Sequence, residues 1–201
     1  MRYFYKYKCT DLVLDTNGVG LGVYDFICKD QYDAETGEMY KALCCCNDDD
    51  MAVRCKVRDA EKVVWSVKAT SNFNNEICVL LRNGIQNGKI SFLIPEQECD
   101  EDLSKAYKGY SKLTPTDQAY IKMPYVQTTM AEYELVKLDH EIKNGNVKVK
   151  EQAGMRKDRY SSIAYNYWCA CQLELKLKPK QNNDNLIDRL TIRPARRFST
   201  F

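Results

Sequence analysis

At 201 residues the chain has the length of one ordinary domain, with room for a tail. Its 44% hydrophobic and 11% aromatic content excludes an intrinsically disordered chain, and 30 basic against 28 acidic side chains leave a net charge of only +2, so any nucleic-acid surface has to be local. No apolar run reaches the roughly 20 residues of a membrane span, and the charged, aromatic start Met1–Lys8 lacks the apolar segment of a signal peptide, so an intracellular protein is expected.

In chain order, the residues up to Lys8 read as the end of a helix. Leu12-Val13-Leu14, bounded by Asp11 and Asp15, suits a short buried strand. Glycines at 18, 20 and 22 interrupt the chain before a helix over Gly20–Lys29, with Leu21, Tyr24 and Ile27 on one face. Glu35-Thr36-Gly37-Glu38 is a turn signal, Tyr40–Cys45 a second strand and Asn47–Asp50 a solvated loop. Val63–Val67 is a strand rich in β-branched and aromatic residues. Ser71 or Asn72 caps a helix carrying Phe73, Ile77, Leu80 and Leu81, which Asn83-Gly84 and Asn87-Gly88 end. Lys89–Ile94 reads as a further strand stopped by Pro95. Glu96–Lys112 is polar and partly helical; Pro115 begins a short helix ending near Met123-Pro124, and Thr128–Leu138 forms another. Asp139–Gln152 contains a hairpin around Lys143-Asn144-Gly145-Asn146. The longest helical pattern, Tyr160–Lys178, sets Ile163, Ala164, Tyr167, Trp168, Cys171 and Leu175 on a broad apolar face, and residues 179–201 are a polar, basic tail. Strands alternating with helices imply an α/β fold with a mostly parallel sheet.

The ten cysteines lack the paired spacings and the histidines of a zinc site, since the nearest clusters are Cys44-Cys45-Cys46 and Cys169-x-Cys171 and the only histidine is His140. Reduced thiols acting as small hydrophobes fit better.

Three constellations can carry chemistry. Asp15-Thr16-Asn17-Gly18-Val19-Gly20 stands where a strand gives way to a helix, at the strand end where α/β sheets collect ligands. A dinucleotide fingerprint would need its third glycine where Val23 stands, and no Gly-Lys-Ser/Thr follows for an ATPase phosphate loop. Asp15 is then either a ligand-binding acid or an aspartate capping its own turn, with Gly18 and Gly20 as structural glycines of the loop. Asp158, in Gly154-Met155-Arg156-Lys157-Asp158-Arg159-Tyr160-Ser161-Ser162, opens the long helix. A helix start favours a carboxylate on structural grounds alone, while Arg156, Lys157 and Arg159 around it would also suit phosphate beside a metal-binding acid. Lys148 and Lys150, alternating with valines in the hairpin, are either a solvated face or a DNA contact. Glu76, near the start of the 70s helix, reads as a cap rather than a catalytic group.

In order along the chain, Leu-Asp-Thr-Asn-Gly-Val-Gly-Leu-Gly-Val-Tyr-Asp at 14–25, Cys-Val-Leu-Leu-Arg-Asn-Gly at 78–84 and Gly-Met-Arg-Lys-Asp-Arg-Tyr-Ser-Ser at 154–162 resemble the C-terminal part of phage terminase large subunits, closest to those of phages and prophages of Gram-positive bacteria. The resemblance covers residues 1 to about 178. It implies a ribonuclease H-like nuclease domain over 1–178, followed by the tail at 179–201. In that family an N-terminal ATPase packs DNA, and the nuclease cuts concatemeric viral DNA with Mg2+ or Mn2+ held by clustered acids. By that resemblance Asp15 matches the second cluster acid and Asp158 the last. Lys148, Lys150, Arg156, Lys157 and Arg159 would face double-stranded DNA. Partners implied are the terminase small subunit and the portal protein, in the cytoplasm of a bacterial host. The family's first acid lies on a strand upstream of the helix in which this chain begins, so the ATPase motor, the first three strands and one metal ligand are expected to lie outside it. Leu12-Val13-Leu14 then becomes an exposed sheet edge, with poor stability or a substitute pairing as the consequence. Three outcomes follow: a metal-dependent endonuclease, a catalytically inactive DNA-binding or packaging-complex module left in a prophage, or a fragment that needs a second chain for its missing acid.

Overall fold

The valine-rich stretch around Trp65 takes the centre of the principal sheet. In the computed structural model, which describes residues 1–154 and 156–177, strand β5 (Glu61–Val67) lies between β1 (Leu12–Asp15) and β4 (Leu43–Cys45), both parallel to it. Leu12 pairs with Val64 and Asp15 with Val67. The chain is thus mixed α/β with a small parallel sheet, and β1 is an edge strand.

Side chains alternate across a strand, and each face of the sheet has its own core. Leu12, Leu14, Val64, Leu43 and Cys45 join Tyr24, Ile27, Cys28 and Met51 on one face. Tyr24 and Ile27 come from α2 (Val19–Ile27), and Met51 from α3 (Asp49–Ala52). The Tyr24 hydroxyl is fully buried; it donates to the Met51 carbonyl at 2.9 Å and accepts from the Cys45 N–H at 3.0 Å. One side chain therefore joins α2, α3 and β4, and burial pushes its pKa up. Cys28, Cys44 and Cys45 are buried small hydrophobes here, with the Cys28 thiol pushed up to about 12 by burial. The N-terminal helix α1 (Arg2–Lys6) lays Phe4 and Tyr5 against this core.

The opposite face is closed by α4 (Ser71–Gln86) and α7 (Asp158–Leu177), whose Ile77, Leu81, Tyr160 and Ala164 form a second core. Trp65 of β5 meets Trp168 of α7 edge-on at 5.9 Å, and Phe73 meets the same indole at 5.4 Å. Helix α5 (Cys99–Ala106), a 3-10 turn at Tyr110–Lys112 and the first half of α6 (Pro115–Lys137) share a third cluster of Cys99, Leu103, Tyr110, Ile121 and Tyr125. Two antiparallel pairs complete the fold, β2 (Gln31–Tyr32) with β3 (Met39–Tyr40), and β6 (Asp139–Lys143) with β7 (Asn146–Lys150). In the second, Asn144 and Gly145 both take positive φ, 52° and 77°, as a two-residue primed turn requires. Among the described residues no helix is long and apolar enough to cross a membrane.

Several expected elements differ. The 40–45 strand is two pieces, β3 and β4, because Ala42 leaves the ladder to donate its N–H to the Asp30 carboxylate at 2.8 Å. Residues 49–52 form a helix rather than a loop, since Asp48 caps the Met51 N–H at 3.1 Å. Thr70, not Ser71 or Asn72, caps α4. Gly84 does not end α4, because its missing side chain is where the Tyr167 ring of α7 lies, 2.5 Å from where a Cβ would be. Lys89–Ile94 is no strand and joins no sheet; Ile90 packs into the α4–α7 core instead. Pro124 sits within one continuous α6 rather than between two helices. Leu175 is exposed rather than on the buried face of α7. The tail at 179–201 lies outside the described residues.

Tyr24→Phe leaves the Met51 carbonyl and Cys45 N–H buried without their partner, and is expected to cost about 1–3 kcal/mol in urea unfolding. The Arg2 guanidinium, bonded to Asp33 at 2.7 and 2.8 Å, holds that carboxyl down at about 2. A depressed folded-state pKa stabilises above the ordinary carboxylate value of about 3.9 and is lost as pH falls through about 2. The difference in thermal midpoint between wild type and Asp33→Asn should be constant at neutral pH and vanish between about pH 4 and 2.

Candidate functional site

Asp15 is the last residue of β1, so its side chain shares the sheet face of Val13, the face covered by α7. Its electrostatic neighbour there is Tyr165, whose hydroxyl pKa is pushed up by burial first and by Asp15 second. Asp15 also turns its own loop. Its Oδ1 accepts the Asn17 N–H at 3.1 Å, so the capping role is present and uses one carboxylate oxygen. Thr16 follows with its hydroxyl 2.8 Å from that of Ser66 and 3.2 Å from the Val67 carbonyl, which it donates to; this ties the loop to the end of β5.

The two loop glycines have separate reasons. Gly18 has φ 55° and ψ −117°, backbone that a side chain disfavours. Gly20 passes so close to the strand end that a Cβ would lie 1.6 Å from the Asp15 carbonyl oxygen. Only glycine lets α2 start directly over the end of β1.

Asp158 is the first residue of α7 and is well exposed. The Lys157 carbonyl accepts the first helical bond, from Ser161 N–H at 2.9 Å, so Asp158 stands inside the helix rather than at its cap. The carboxylate that serves the free N–H groups comes from elsewhere: Glu134 of α6, 4% exposed, accepts the Tyr160 N–H at 2.8 Å. Glu134 also pairs with Arg159 at 3.5 Å. A buried acid at a helix N-terminus is favoured by the free N–H groups and the helix dipole. Sequence reading missed Glu134, because one glutamate in a polar helix carries no local signal.

Asp158 and Tyr165 are seven positions apart on α7, hence on one helix face and separated by about 10 Å along its axis. The run from Tyr165 beside Asp15 to Trp168 beside Trp65 points α7 back along the sheet. Its start therefore projects past the carboxyl end of β1. Asp15 and Asp158 lie at one end of the molecule and on one side of the sheet, with no bond between them. Asp158 instead lines an open cleft of about 590 Å³ between α6 and α7, with Gln127, Thr128, Arg159, Ser162 and Phe92. Among the described residues no group of three or more His, Cys, Asp or Glu is placed to hold a metal ion.

The basic residues divide. Lys148 and Lys150 point outward from β7, as the alternation requires, while Val149 faces the core. Both meet Glu141 across the strand pair, Lys148 at 3.9 Å and Lys150 in closer contact, which pulls the Glu141 carboxyl below its usual range. Arg156 lies 3.9 Å from Asp158, an exposed pair of little energetic weight. Arg159 is held by Glu134 and by Gln127 at 3.3 Å. Lys157 is half-buried beside them. Glu76 is not a cap: it accepts the Trp168 indole N–H at 3.1 Å.

Compared with known proteins, the chain matches no family model, no curated protein and no solved structure.

Gly20→Ala should cost about 1–3 kcal/mol, because the added methyl must displace backbone at the Asp15 turn. Gly22→Ala, in the same helix with open space around it, should be neutral or stabilising by up to about 1 kcal/mol. Urea unfolding of the pair separates a required close approach from ordinary helix propensity.

Proposed function

We propose that this chain is part of a terminase nuclease domain of ribonuclease H-like fold, in which Asp15 and Asp158 are two of the acids that bind Mg2+ or Mn2+ for cleavage of double-stranded DNA. The observation that carries this reading is the placement of Asp15 at the carboxyl end of a parallel strand, on the sheet face against which the Asp158 helix packs. Parallel α/β sheets bind ligands at that end of the strands. The ordered motifs at 14–25, 78–84 and 154–162 support it from the sequence.

Two-metal phosphodiester hydrolysis needs carboxylates on both sides of metals about 3.5–4 Å apart. Asp15 and Asp158, offset along α7, hold one side at most. Completion of the site takes a further acid from outside the described residues, and this is the role of the family's first acidic strand. The metals, once bound, would activate water and neutralise the developing phosphorane charge. Asp15 and Asp158 would ligate them, and Arg156 and Lys157 would meet the flanking phosphates. Lys148 and Lys150 would contact the duplex further along, once Glu141 releases them. The terminase small subunit and portal are the partners this assignment brings, in the cytoplasm of a bacterial host.

A second reading, an inactive DNA-binding or packaging-complex module, is favoured by the internal pairing of the candidate cations and the incomplete acid set.

Supercoiled plasmid, Mn2+ and the 201-residue chain decide between them. The nuclease reading expects at most trace nicking by the chain alone. With a polypeptide that supplies the first acidic strand, it expects nicking that rises at least 100-fold and that Asp15→Asn or Asp158→Asn abolishes. No cleavage in either arm, with salt-dependent binding of the plasmid retained, assigns the module instead.

A further inference from the structure

The first helix has two aromatic faces, and only one of them is used by the fold. On the inner face Phe4 meets Tyr5 edge-on at 5.4 Å, and Tyr5 stacks on Tyr40 at 5.1 Å and donates its hydroxyl to the Lys41 carbonyl. The outer face carries Tyr3 and Tyr7, one turn apart, with rings 6.2 Å apart and within 16° of parallel. They are 71% and 67% exposed. Lys6, on the same surface, reaches across to α6: its Nζ donates to the Tyr120 hydroxyl at 2.9 Å and lies 5.6 Å from the ring centres of both Tyr7 and Tyr120. Tyr120 is itself 67% exposed. Lys6 thus joins two elements 114 residues apart in sequence and brings the open rings of Tyr7 and Tyr120 to one ammonium group, with Tyr3 stacked beside Tyr7.

The surface has a consistent chemistry. The hydrogen bond to Tyr120 and the neighbouring phenols push the Lys6 pKa up, so the ammonium charge persists at any physiological pH. Its partners are phenols rather than carboxylates, so that charge is not cancelled. The acids beside α1, Asp33 and Glu35, are occupied by Arg2. Aromatic side chains normally remove some 150–250 Å² each from water, and these three leave most of that area open. Rings with accessible faces set around an uncancelled cation match the alternation of base and phosphate in a nucleic-acid strand. A duplex keeps its base faces within its own stack; a single strand offers them.

We propose that Tyr3, Lys6, Tyr7 and Tyr120 form a stacking platform for single-stranded nucleic acid. It shares no residue with the candidate acids and is independent of the nuclease reading. Bases stack on the phenol rings, and Lys6 meets a backbone phosphate. Stacking of this kind tolerates any base, so the platform is expected to be sequence-neutral.

Fluorescence anisotropy with a labelled oligothymidylate, against a labelled hairpin duplex of equal length, tests this on the whole chain. The expected result is preference for the single strand. Tyr7→Ala and Tyr120→Ala should each weaken binding by about 5- to 150-fold, and Tyr120→Phe, which keeps the ring, should retain it. Lys6→Ala should lower the slope of log affinity against log salt by about 0.7. All these side chains are exposed, so urea midpoints should be unchanged, which separates lost contacts from lost folding. Absence of oligothymidylate binding by the wild type overturns the proposal. So does equal binding by the Tyr3→Ala, Tyr7→Ala, Tyr120→Ala triple variant, or a preference for duplex. Concentration-dependent self-association that the triple variant abolishes, without oligothymidylate binding, would make the surface a protein interface and also overturn it.

Discussion

The edge-to-face contact between Trp65 and Trp168 ties the central strand of the sheet to the last helix of the described residues. The indole pair fixes where α7 crosses the sheet, and Phe73 wedges α4 against the same ring. Both indole N–H groups are satisfied by acids, Trp65 by Asp11 at 2.7 Å and Trp168 by Glu76 at 3.1 Å, so burial of these large side chains leaves no donor stranded. Lys176 lies over Trp65 at 4.1 Å and extends the contact by two further turns. Once this crossing is set, Tyr165 falls beside Asp15 and Asp158 comes out beyond the strand end. The placement of the candidate site is a consequence of aromatic packing elsewhere on α7.

The sheet's two faces use different means. Behind the sheet, α2 and α3 are joined by a single buried hydroxyl, that of Tyr24, while in front α4 and α7 are joined by ring against backbone at Gly84. The first arrangement depends on one hydrogen-bonded group, the second on a missing methyl. Neither tolerates a change of shape, whereas the outward face of α6, with Tyr120, Tyr133 and Val136 all exposed, carries no such constraint.

Much of the architecture was legible in local pattern. Asn144-Gly145 specifies its turn because both residues accept positive φ, and the lysine–valine alternation of β7 sets which side faces out. β5 is readable from Val63-Val64-Trp65. The parallel arrangement follows from the alternation of strands and helices. What was not legible depends on partners distant in sequence. Ile90, Phe92 and Ile94 alternate like a strand, but Ile90 packs against α4 and α7 rather than in a sheet. Asn83-Gly84 reads as a stop until the Tyr167 ring is placed against it. At the site, local sequence put Asp15 at a strand end and Asp158 at a helix start, which is where they lie. It could not supply Glu134, which reaches α7 across 26 positions and takes both the helix N-terminus and Arg159. Arg159 belongs with the cations that the resemblance turns toward DNA, and a buried acid beside it gives it a structural task.

Pro124 divides α6 between two allegiances. A proline inside a helix removes one rung of the hydrogen-bond ladder, and here the loss falls where Ile121 and Tyr125 belong to the α5 cluster while Ala131, Glu134 and Leu135 belong to α7. The Thr128 hydroxyl donates to the Pro124 carbonyl at 2.8 Å, a back-bond that favours a bend in the helix at the same place. Cooperative opening units in proteins follow such boundaries between clusters. The segment from Cys99 to Tyr125 thereby packs as a cluster of its own, joined to α1 through Lys6 and Tyr120, and its amides are expected to exchange with solvent before those of α4 and α7. One helix thus belongs to two clusters, and a disturbance of the first reaches Glu134 only through the helix axis that they share.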